Sequence, residues 1–129
     1  MREDGDVFIV ALATHVGENA WLIDSGASFH MTPNRNWFSK HKFFDGGKVY
    51  LGDNLVLDIV GRGSIHVKFF DDRIRRFDGV LHIPRLARNF LSISKLIDAR
   101  VHVQFYEAGV KMVRGAMVIA RGSRLGILY

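Results

Sequence analysis

The chain has 129 residues, of which 48% are hydrophobic and 24% charged, so it can form one domain with a single core and is too apolar to be disordered. It contains no cysteine, which excludes disulfides and thiolate metal sites, and no apolar run long enough to span a membrane. The net charge of +5 favours acidic or nucleic-acid partners but does not determine the fold.

A polar leader and two strands are predicted at the start of the chain. Residues 1–6 are polar and lack the pattern of a signal peptide. Residues 7–13 are continuously apolar, which indicates a strand that is either buried within the chain or paired with a second subunit. A turn is predicted at residues 17–19. The second strand covers residues 20–24 and ends in a tight Asp-Ser-Gly-Ala turn at residues 24–27.

A loop and a hairpin are predicted next. Residues 28–39 mix polar and apolar side chains and are expected to form a loop with a short helical turn after Pro33. The large apolar side chains Trp37 and Phe38 are expected in the core. Residues 48–59 contain two extended runs around a Gly-Asp-Asn turn, which is typical of a β-hairpin.

Further strands and one helix complete the predicted elements. Gly-Arg-Gly at residues 61–63 is read as a break in the strand pattern. The helix is predicted to begin after Ser92 as its N-cap, because Ile93, Leu96 and Ile97 lie on one helical face. The remaining strands are predicted at residues 64–69, 74–83, 101–105, 110–113 and 117–120. Short strands separated by turns at this spacing indicate an all-β barrel or sandwich.

The turn at residues 24–27 carries the most distinctive chemistry. A buried strand that ends in Asp24 places a carboxylate where it can meet a second carboxylate. Ser25 offers a hydroxyl for a neighbouring backbone group, and Gly26 permits a close backbone approach or a positive φ. The hairpin could fold over a cleft as a lid, and residues 88–92 with the helix could support the turn from beneath. The same residues also occur in ordinary turns, so the motif alone does not distinguish a catalytic turn from a structural one.

Longer segments give a more specific match. The chain resembles the protease domain of copia-type LTR retrotransposon polyproteins, which are relatives of the retroviral aspartic proteases. The matching segments are residues 21–32, 49–53, 59–63, 80–84, 89–96 and 111–115. In that family a Gly-x-Leu-Tyr motif begins the segment ahead of integrase, and residues 126–129 have this motif.

The resemblance implies a fold and a setting. It implies an all-β, retropepsin-like closed β-barrel with a flap hairpin and one short C-terminal helix. A single protease domain is then expected over residues 1–129, with the leader at one end and the pre-integrase segment at the other. The implied location is the cytoplasm, in virus-like particles.

The resemblance also implies an activity, an aspartic endopeptidase that processes its own Gag-Pol polyprotein as a homodimer. The chemistry also requires a homodimer, because the reaction needs two carboxylates and each chain supplies one such turn. Two close carboxylates share one proton, so one Asp24 activates water while the other protonates the scissile amide. No cofactor and no metal are required. The implied catalytic residues are Asp24, Ser25 and Gly26; the implied substrate-binding residues are Ala27, Leu51, Gly52, Asp53 and Asn54; the implied supports of the site are Arg88 and Asn89.

Several features depart from the retroviral pattern. Retroviral relatives have glycine where Ala87 stands, and an acid that pairs with the arginine at the position of Arg88. No such acid follows the turn here. The hairpin tip has one glycine, Gly52, where retroviral flaps are glycine-rich. The strands after the helix, from Val101 on, have no counterpart in the shortest retroviral proteases, so the dimer seam could be built differently, from residues 7–12 or from the C-terminal strands.

Other functions remain open at this point. One is a catalytically silent, domesticated module that binds peptide or nucleic acid. The stretch Arg73, Arg75, Arg76, Arg85 and Arg88 could bind phosphate, although a solvated strand face is favoured because no stacking platform is evident. A metal site at His30 and His41 is disfavoured, because no third ligand lies nearby in sequence.

Overall fold

The computed structural model describes residues 6–14, 17–51, 54–107 and 109–127. Within these ranges the chain is mostly strands, with one α-helix and one short 3-10 helix. The strands are β1 (Asp6–Thr14), β2 (Gly17–Asp24), β3 (Met31–Thr32), β4 (Phe38–Phe43), β5 (Lys48–Leu51), β6 (Leu55–Asp58), β7 (Gly61–Lys68), β8 (Ile74–His82), β9 (Asn89–Ser92), β10 (His102–Tyr106), β11 (Gly109–Arg114) and β12 (Met117–Ile127). The 3-10 helix is Arg35–Trp37 and the α-helix, α1, is Ile93–Asp98.

Ten strands form one sheet that closes on itself. Their order is β10-β11-β12-β1-β2-β9-β3-β8-β7-β4, and an additional pairing joins β1 to β7 at Ala13 and Lys68. This contact closes β1, β2, β9, β3, β8 and β7 into a six-stranded barrel. Strands β5 and β6 form a separate hairpin. The predicted closed barrel with a hairpin and one short helix is therefore confirmed.

The main core fills the barrel with aromatic and branched side chains. Trp21 is fully buried and lies against the rings of Trp37 and Phe77, at centroid distances of 5.8 and 6.2 Å. Along β7 and just beyond it, Ile65, Val67 and Phe69 are all buried, as their alternation predicts. Phe38 also belongs to this core, so the expectation for both Trp37 and Phe38 is confirmed.

Three local predictions are wrong. Residues 17–19 belong to β2, which begins at Gly17, rather than to a turn. Strand β4 is not predicted, because its sequence Phe-Ser-Lys-His-Lys-Phe is too polar to show a strand pattern. It is recognised as a strand by its pairing with β7. Residues 61–63 lie inside β7 rather than at a break. Glycine is required there by the close approach of β4, since a Cβ at Gly63 would overlap the carbonyl oxygen of Lys40.

Strand β1 is buried within the chain. It pairs with β12 on one side and with β2 on the other, so its backbone has partners in its own chain on both sides. Residues 7–13 were predicted to be either buried within the chain or paired with a second subunit, and the structure shows the first arrangement. Along the ten-stranded sheet the outermost strands are β10 and β4.

The predicted helix forms with its predicted cap. Ser92 has an extended backbone, and its side chain accepts a hydrogen bond from the Lys95 N–H. Leu96 is buried against the core, whereas Ile97 is 50% exposed, because a helix of six residues packs only one narrow side. No helix in the described ranges is long and apolar enough to cross a membrane.

We expect Gly63→Ala to destabilise the barrel, because the added methyl group would meet the Lys40 backbone and force β4 away from β7. Overpacking of this kind costs about 1–3 kcal/mol of unfolding free energy, which urea unfolding would measure. Gly26→Ala is the matched control, since its nearest neighbour would be the Asp24 carboxylate at 3.4 Å. Equal stability losses in the two variants would contradict this account of the β4–β7 contact.

Candidate active site

The Asp24 carboxylate lies on a turn that its own backbone holds in place. Asp24 is the last residue of β2, and its Oδ1 accepts a hydrogen bond of 2.9 Å from the Gly26 N–H. The Asp24 carbonyl accepts a further bond from the Ala27 N–H at 3.3 Å. Asp24 is only 8% exposed, whereas Ser25 and Gly26 are exposed. The turn therefore holds the Asp24 carboxylate just below the surface, while Ser25 and Gly26 are exposed to solvent.

The space beside this carboxylate is kept open by Gly26. Of the two roles that the sequence allows for Gly26, a positive φ is not the one observed, because its φ lies outside the left-handed region. A Cβ at this position would have the Asp24 Oδ1 as its nearest neighbour, at 3.4 Å. Within one chain, glycine is thus not required by backbone strain or by a clash. Its effect is to leave the approach to the carboxylate free of a side chain.

Ser92 ties the turn to the start of the helix. The backbone of β9 runs parallel to β2, and Ser92 lies opposite Asp24 in the register. The buried Ser92 hydroxyl donates to the Ala27 carbonyl at 2.7 Å while it accepts from the Lys95 N–H as the helix cap. A single hydroxyl therefore joins the end of the turn to the first turn of α1, in agreement with the expected support from beneath.

His30 is held neutral beneath the same turn. Its Nδ1 accepts a hydrogen bond of 3.0 Å from the Ser92 N–H, and its ring stacks on Phe77 at 4.4 Å. Burial lowers the pKa of His30 to about 4, and the charge of Lys95 lowers it as well. Protonation of Nδ1 would turn the acceptor into a donor that faces another donor, so this contact requires the neutral ring.

Asn89 is the second connection between the strands around the turn. Its Oδ1 accepts hydrogen bonds from the Thr32 hydroxyl at 2.6 Å and from the Asn34 side chain at 3.1 Å. Its Nδ2 donates to the Ala20 carbonyl at 3.0 Å and to the Asn19 side chain at 3.1 Å. Asn89 is 4% exposed, so it joins β2, β3 and β9 from inside the molecule.

Arg88 lies apart from this network. Its side chain is exposed, and no described carboxylate comes within 4 Å of it, as the sequence indicates. Its role as a support of the site stays a prediction. Sequence reasoning missed the buried Thr32, which bonds Asn89, and assigned Ser92 only as a helix cap, although its buried hydroxyl also bonds the turn at Ala27.

The hairpin β5–β6 packs on an apolar surface that includes the end of the turn. The buried members of this second cluster are Leu22, Ala27, Met31, Leu57, Leu81, Ile83, Leu86 and Phe90. Val49 and Leu51 of the hairpin are partly buried against it. The predicted substrate-binding residues Ala27 and Leu51 therefore belong to one cluster.

The rest of the hairpin tip was also predicted to bind substrate. Asn54 is exposed and takes a φ of 62°, as expected for a residue in a tight turn. Gly52 and Asp53 lie outside the described residues. Of the two described residues, Leu51 and Asn54, Leu51 is the one that packs against the apolar cluster.

The predicted basic stretch is partly neutralised. Arg75 forms a two-point contact with Asp71 at 2.8 and 2.9 Å, which lowers the pKa of Asp71 to about 2. The Arg76 Nε lies 2.8 Å from Asp78. These pairs agree with the favoured interpretation that the basic stretch is a solvated strand face.

Within the described ranges, no group of three or more His, Cys, Asp or Glu side chains could hold a metal ion.

A pair of histidines joins β4 and β8. His41 Nε2 and His82 Nδ1 are 2.9 Å apart, and a Cβ at Gly61 would come within 2.5 Å of the His41 ring. Burial and the charge of Arg35 lower the pKa of both rings. Since the His82 ring also bonds the Pro33 carbonyl, a neutral His82 accepts from His41. The pair therefore fastens β4 to β8.

Comparison with known proteins gives a consistent set of matches. The sequence profile of the family described as "Pol polyprotein, beta-barrel domain" matches residues 21–101, more than half of the chain. The chain is 31% identical over 112 residues to the retrovirus-related Pol polyprotein from transposon TNT 1-94 of Nicotiana tabacum, which covers 87% of this chain. It is 30% identical over 124 residues to those from transposons RE1 and RE2 of Arabidopsis thaliana, covering 93% of this chain. The chain spans 8% of the length of each of these curated relatives.

We expect the stability of the protein to fall as the pH drops from about 6.5 to 4. The folded pKa of His30, about 4, lies below its ordinary value of 6.5, so the unfolded chain binds the proton first. The loss is on the order of 3 kcal/mol. His30→Asn keeps an acceptor for Ser92 without titrating in this window, and should flatten the pH profile of chemical unfolding. The exposed His66→Asn is the control and should keep the native pH profile. If the stability of His30→Asn falls with pH as steeply as that of the native protein, His30 is not the group responsible.

Asn89→Ala should also destabilise the protein, because it leaves the buried Thr32 hydroxyl and the Ala20 carbonyl without their partner. An unsatisfied buried polar group costs about 1–3 kcal/mol, which thermal or urea unfolding would detect. The exposed Asn36→Ala is the matched control. If both variants unfold like the native chain, the network around Asn89 does not stabilise the site.

Proposed function

This chain belongs to the family of Pol polyprotein beta-barrel domains and is homologous to the Pol polyproteins of copia-type retrotransposons, and on that premise we propose that it is an aspartic endopeptidase. Its substrate would be the polyprotein of which it is part. The active unit would be a homodimer, with one Asp24 from each protomer.

The observation that carries the proposal is the setting of the Asp24 carboxylate. It is held by the Gly26 N–H at the end of a buried strand, next to exposed turn residues and an apolar surface under a hairpin. Ionic groups at such a position are unusual unless they have a partner. The Gly26 N–H is one such partner. A second Asp24 turn, related by two-fold symmetry, would add a protonated carboxyl that donates to the ionised one, and Ser25 would lie in the contact between the turns.

The chemistry then follows from two carboxylates that share one proton. The ionised Asp24 takes a proton from a water molecule as the water oxygen attacks the scissile carbonyl carbon. The protonated Asp24 of the other protomer donates its proton toward the substrate, first to the developing oxyanion. Collapse of the tetrahedral intermediate breaks the carbon–nitrogen bond. The Asp24 that took the proton of water gives it to the leaving amine, while a hydroxyl of the intermediate returns its proton to the other Asp24 as the carbonyl re-forms. The pair is returned to its singly protonated state, and no covalent enzyme intermediate forms.

The hairpin is suited to hold an extended peptide over this centre. Strands β5 and β6 pair with each other and not with the large sheet, so each has an outer edge that a peptide strand could join. The apolar cluster beneath, with Ala27 and Leu51, would accept apolar side chains of the peptide. The tip, with Gly52, Asp53 and Asn54, would close over the substrate and exclude water.

A second candidate is a catalytically silent module that binds peptide or nucleic acid. The exposed position of Arg88, which has no carboxylate within 4 Å among the described residues, is the observation that favours it. Such a module would bind its partner without cleavage and without a need for dimerisation. The two candidates therefore differ in the role of Asp24.

We expect Asp24→Asn to reduce peptide hydrolysis at least about 100-fold, because the variant loses the group that accepts the proton of water. Asparagine retains an oxygen for the Gly26 N–H, so the melting temperature should stay close to that of the native chain. The assay uses purified protein and peptides that span the junctions of its own polyprotein, at acid to neutral pH. The exposed Asp98→Asn is the matched control.

Sedimentation over a range of concentrations completes the test. Specific activity should rise with the fraction of dimer, and both should fall together on dilution. Turnover that is unchanged in Asp24→Asn, or full activity in a chain that sediments only as a monomer, would contradict the proposal. Binding of peptide by both variants without cleavage would favour the silent module.

A further inference from the structure

The outer face of β4 and β7 carries a cluster of positive charge that no part of the proposed active site uses. Lys40 and Lys42 alternate along β4, and in the register they lie opposite Ser64 and Arg62 of β7. Directly opposed residues share one face of a sheet, so Lys40, Lys42 and Arg62 project together. The direct opposition of Lys42 and Arg62 is unfavourable unless a negative group lies between or above them.

No carboxylate of the described residues forms an ion pair within 4 Å with Lys40, Lys42 or Arg62. The ion pairs found within 4 Å are Lys48–Asp58, Lys68–Asp72, Arg75–Asp71 and Arg76–Asp78. Asp78 lies beside the cluster, since it accepts a bond from Ser64 at 2.7 Å and the charge of Lys40 helps to lower its pKa. It is already paired with Arg76, whose Nε lies 2.8 Å away. Three cations beside one acid that is shared with Arg76 leave the cluster with a net positive charge that can attract an anion.

The cluster surrounds a concave surface rather than a flat one. A cavity of about 540 Å³ is lined by Lys40, His41, Lys42, Phe44, Arg62, Gly63, Ser64 and Gly79. Gly79 takes a φ of +65°, and a Cβ there would face the Arg62 guanidinium at 3.8 Å. The volume lies within the range of sites that hold a small molecule or a nucleotide.

An exposed aromatic side chain stands at the edge of this cavity. Phe44 lines the cavity and is 40% exposed. An exposed aromatic ring beside cations is a feature with which proteins stack unpaired bases while they contact the phosphates. A duplex keeps its bases stacked inside, so the ring would have no base to stack on.

We propose that the surface formed by Lys40, Lys42, Phe44 and Arg62 binds single-stranded nucleic acid. The three cations contact successive phosphates, and Phe44 stacks on a base. None of these residues belongs to the apolar cluster at the Asp24 turn. The inference is therefore independent of the proposed peptidase activity.

The test is fluorescence anisotropy with a labelled single-stranded RNA of mixed sequence, repeated with single-stranded DNA, from 50 to 200 mM salt. Three phosphate contacts predict a slope of about −2 in log affinity against log salt concentration. The triple variant Lys40→Gln, Lys42→Gln and Arg62→Gln should lose most of this slope. Phe44→Ala should weaken binding about 5-fold or more with the slope unchanged. Thermal melting of each variant verifies that it is folded.

The matched control removes the same charge from another pair of strands, with Lys111→Gln, Arg114→Gln and Arg121→Gln. Lys111 and Arg121 are also directly opposed, on β11 and β12. This control and Asp24→Asn should both bind like the native chain. Equal weakening by the two triple variants would overturn the proposal in favour of attraction by net charge. Equal affinity for duplex, or equal competition by polyglutamate, would overturn it in favour of a general polyanion surface.

Discussion

The parallel pairing of β2 with β9 is the constraint on which the rest of the site depends. Because parallel strands point the same way, their carboxyl ends meet at one edge, and Asp24 arrives beside Ser92. Ser92 then acts on both sides, as the cap of α1 and as the donor to Ala27. The four residue pairs from Trp21–Asn89 to Asp24–Ser92 thus position the turn and the helix relative to the barrel. Asn89 fixes the end of this pairing opposite the turn through its bond to the Ala20 carbonyl.

The proposed chemistry and the support beneath it respond to pH in different ways. A shared proton between two carboxylates is favoured in acid, whereas the His30 contact with Ser92 requires a neutral ring. Burial keeps the pKa of His30 at about 4, so the ring stays neutral well into the acid range. In the folded protein the support beneath the proposed centre therefore keeps its geometry under conditions that allow the carboxyl pair to hold one proton, while the stability of the fold declines over the same pH range.

Local sequence patterns predicted the parts of the fold that depend on near neighbours. The alternation of Ile65, Val67 and Phe69, the hairpin and the Ser92 cap are examples, and the family resemblance predicted the closed barrel. The failures concern contacts between distant residues. Thr32 and Asn89 are 57 positions apart and His41 and His82 are 41 apart, so no local pattern marks either pair. Gly61 and Gly63 were read as a break because the strand that crowds them, β4, was itself unrecognised.

The measurement that tests the central claim most directly is a crystal structure of the protein with a non-hydrolysable peptide analogue. The account predicts a two-fold dimer in which oxygens of the two Asp24 carboxylates lie about 3 Å apart, with the analogue between them and the hairpins. It would be contradicted by an ordered complex in which each Asp24 turn faces solvent, far from any other carboxylate, with the peptide bound elsewhere.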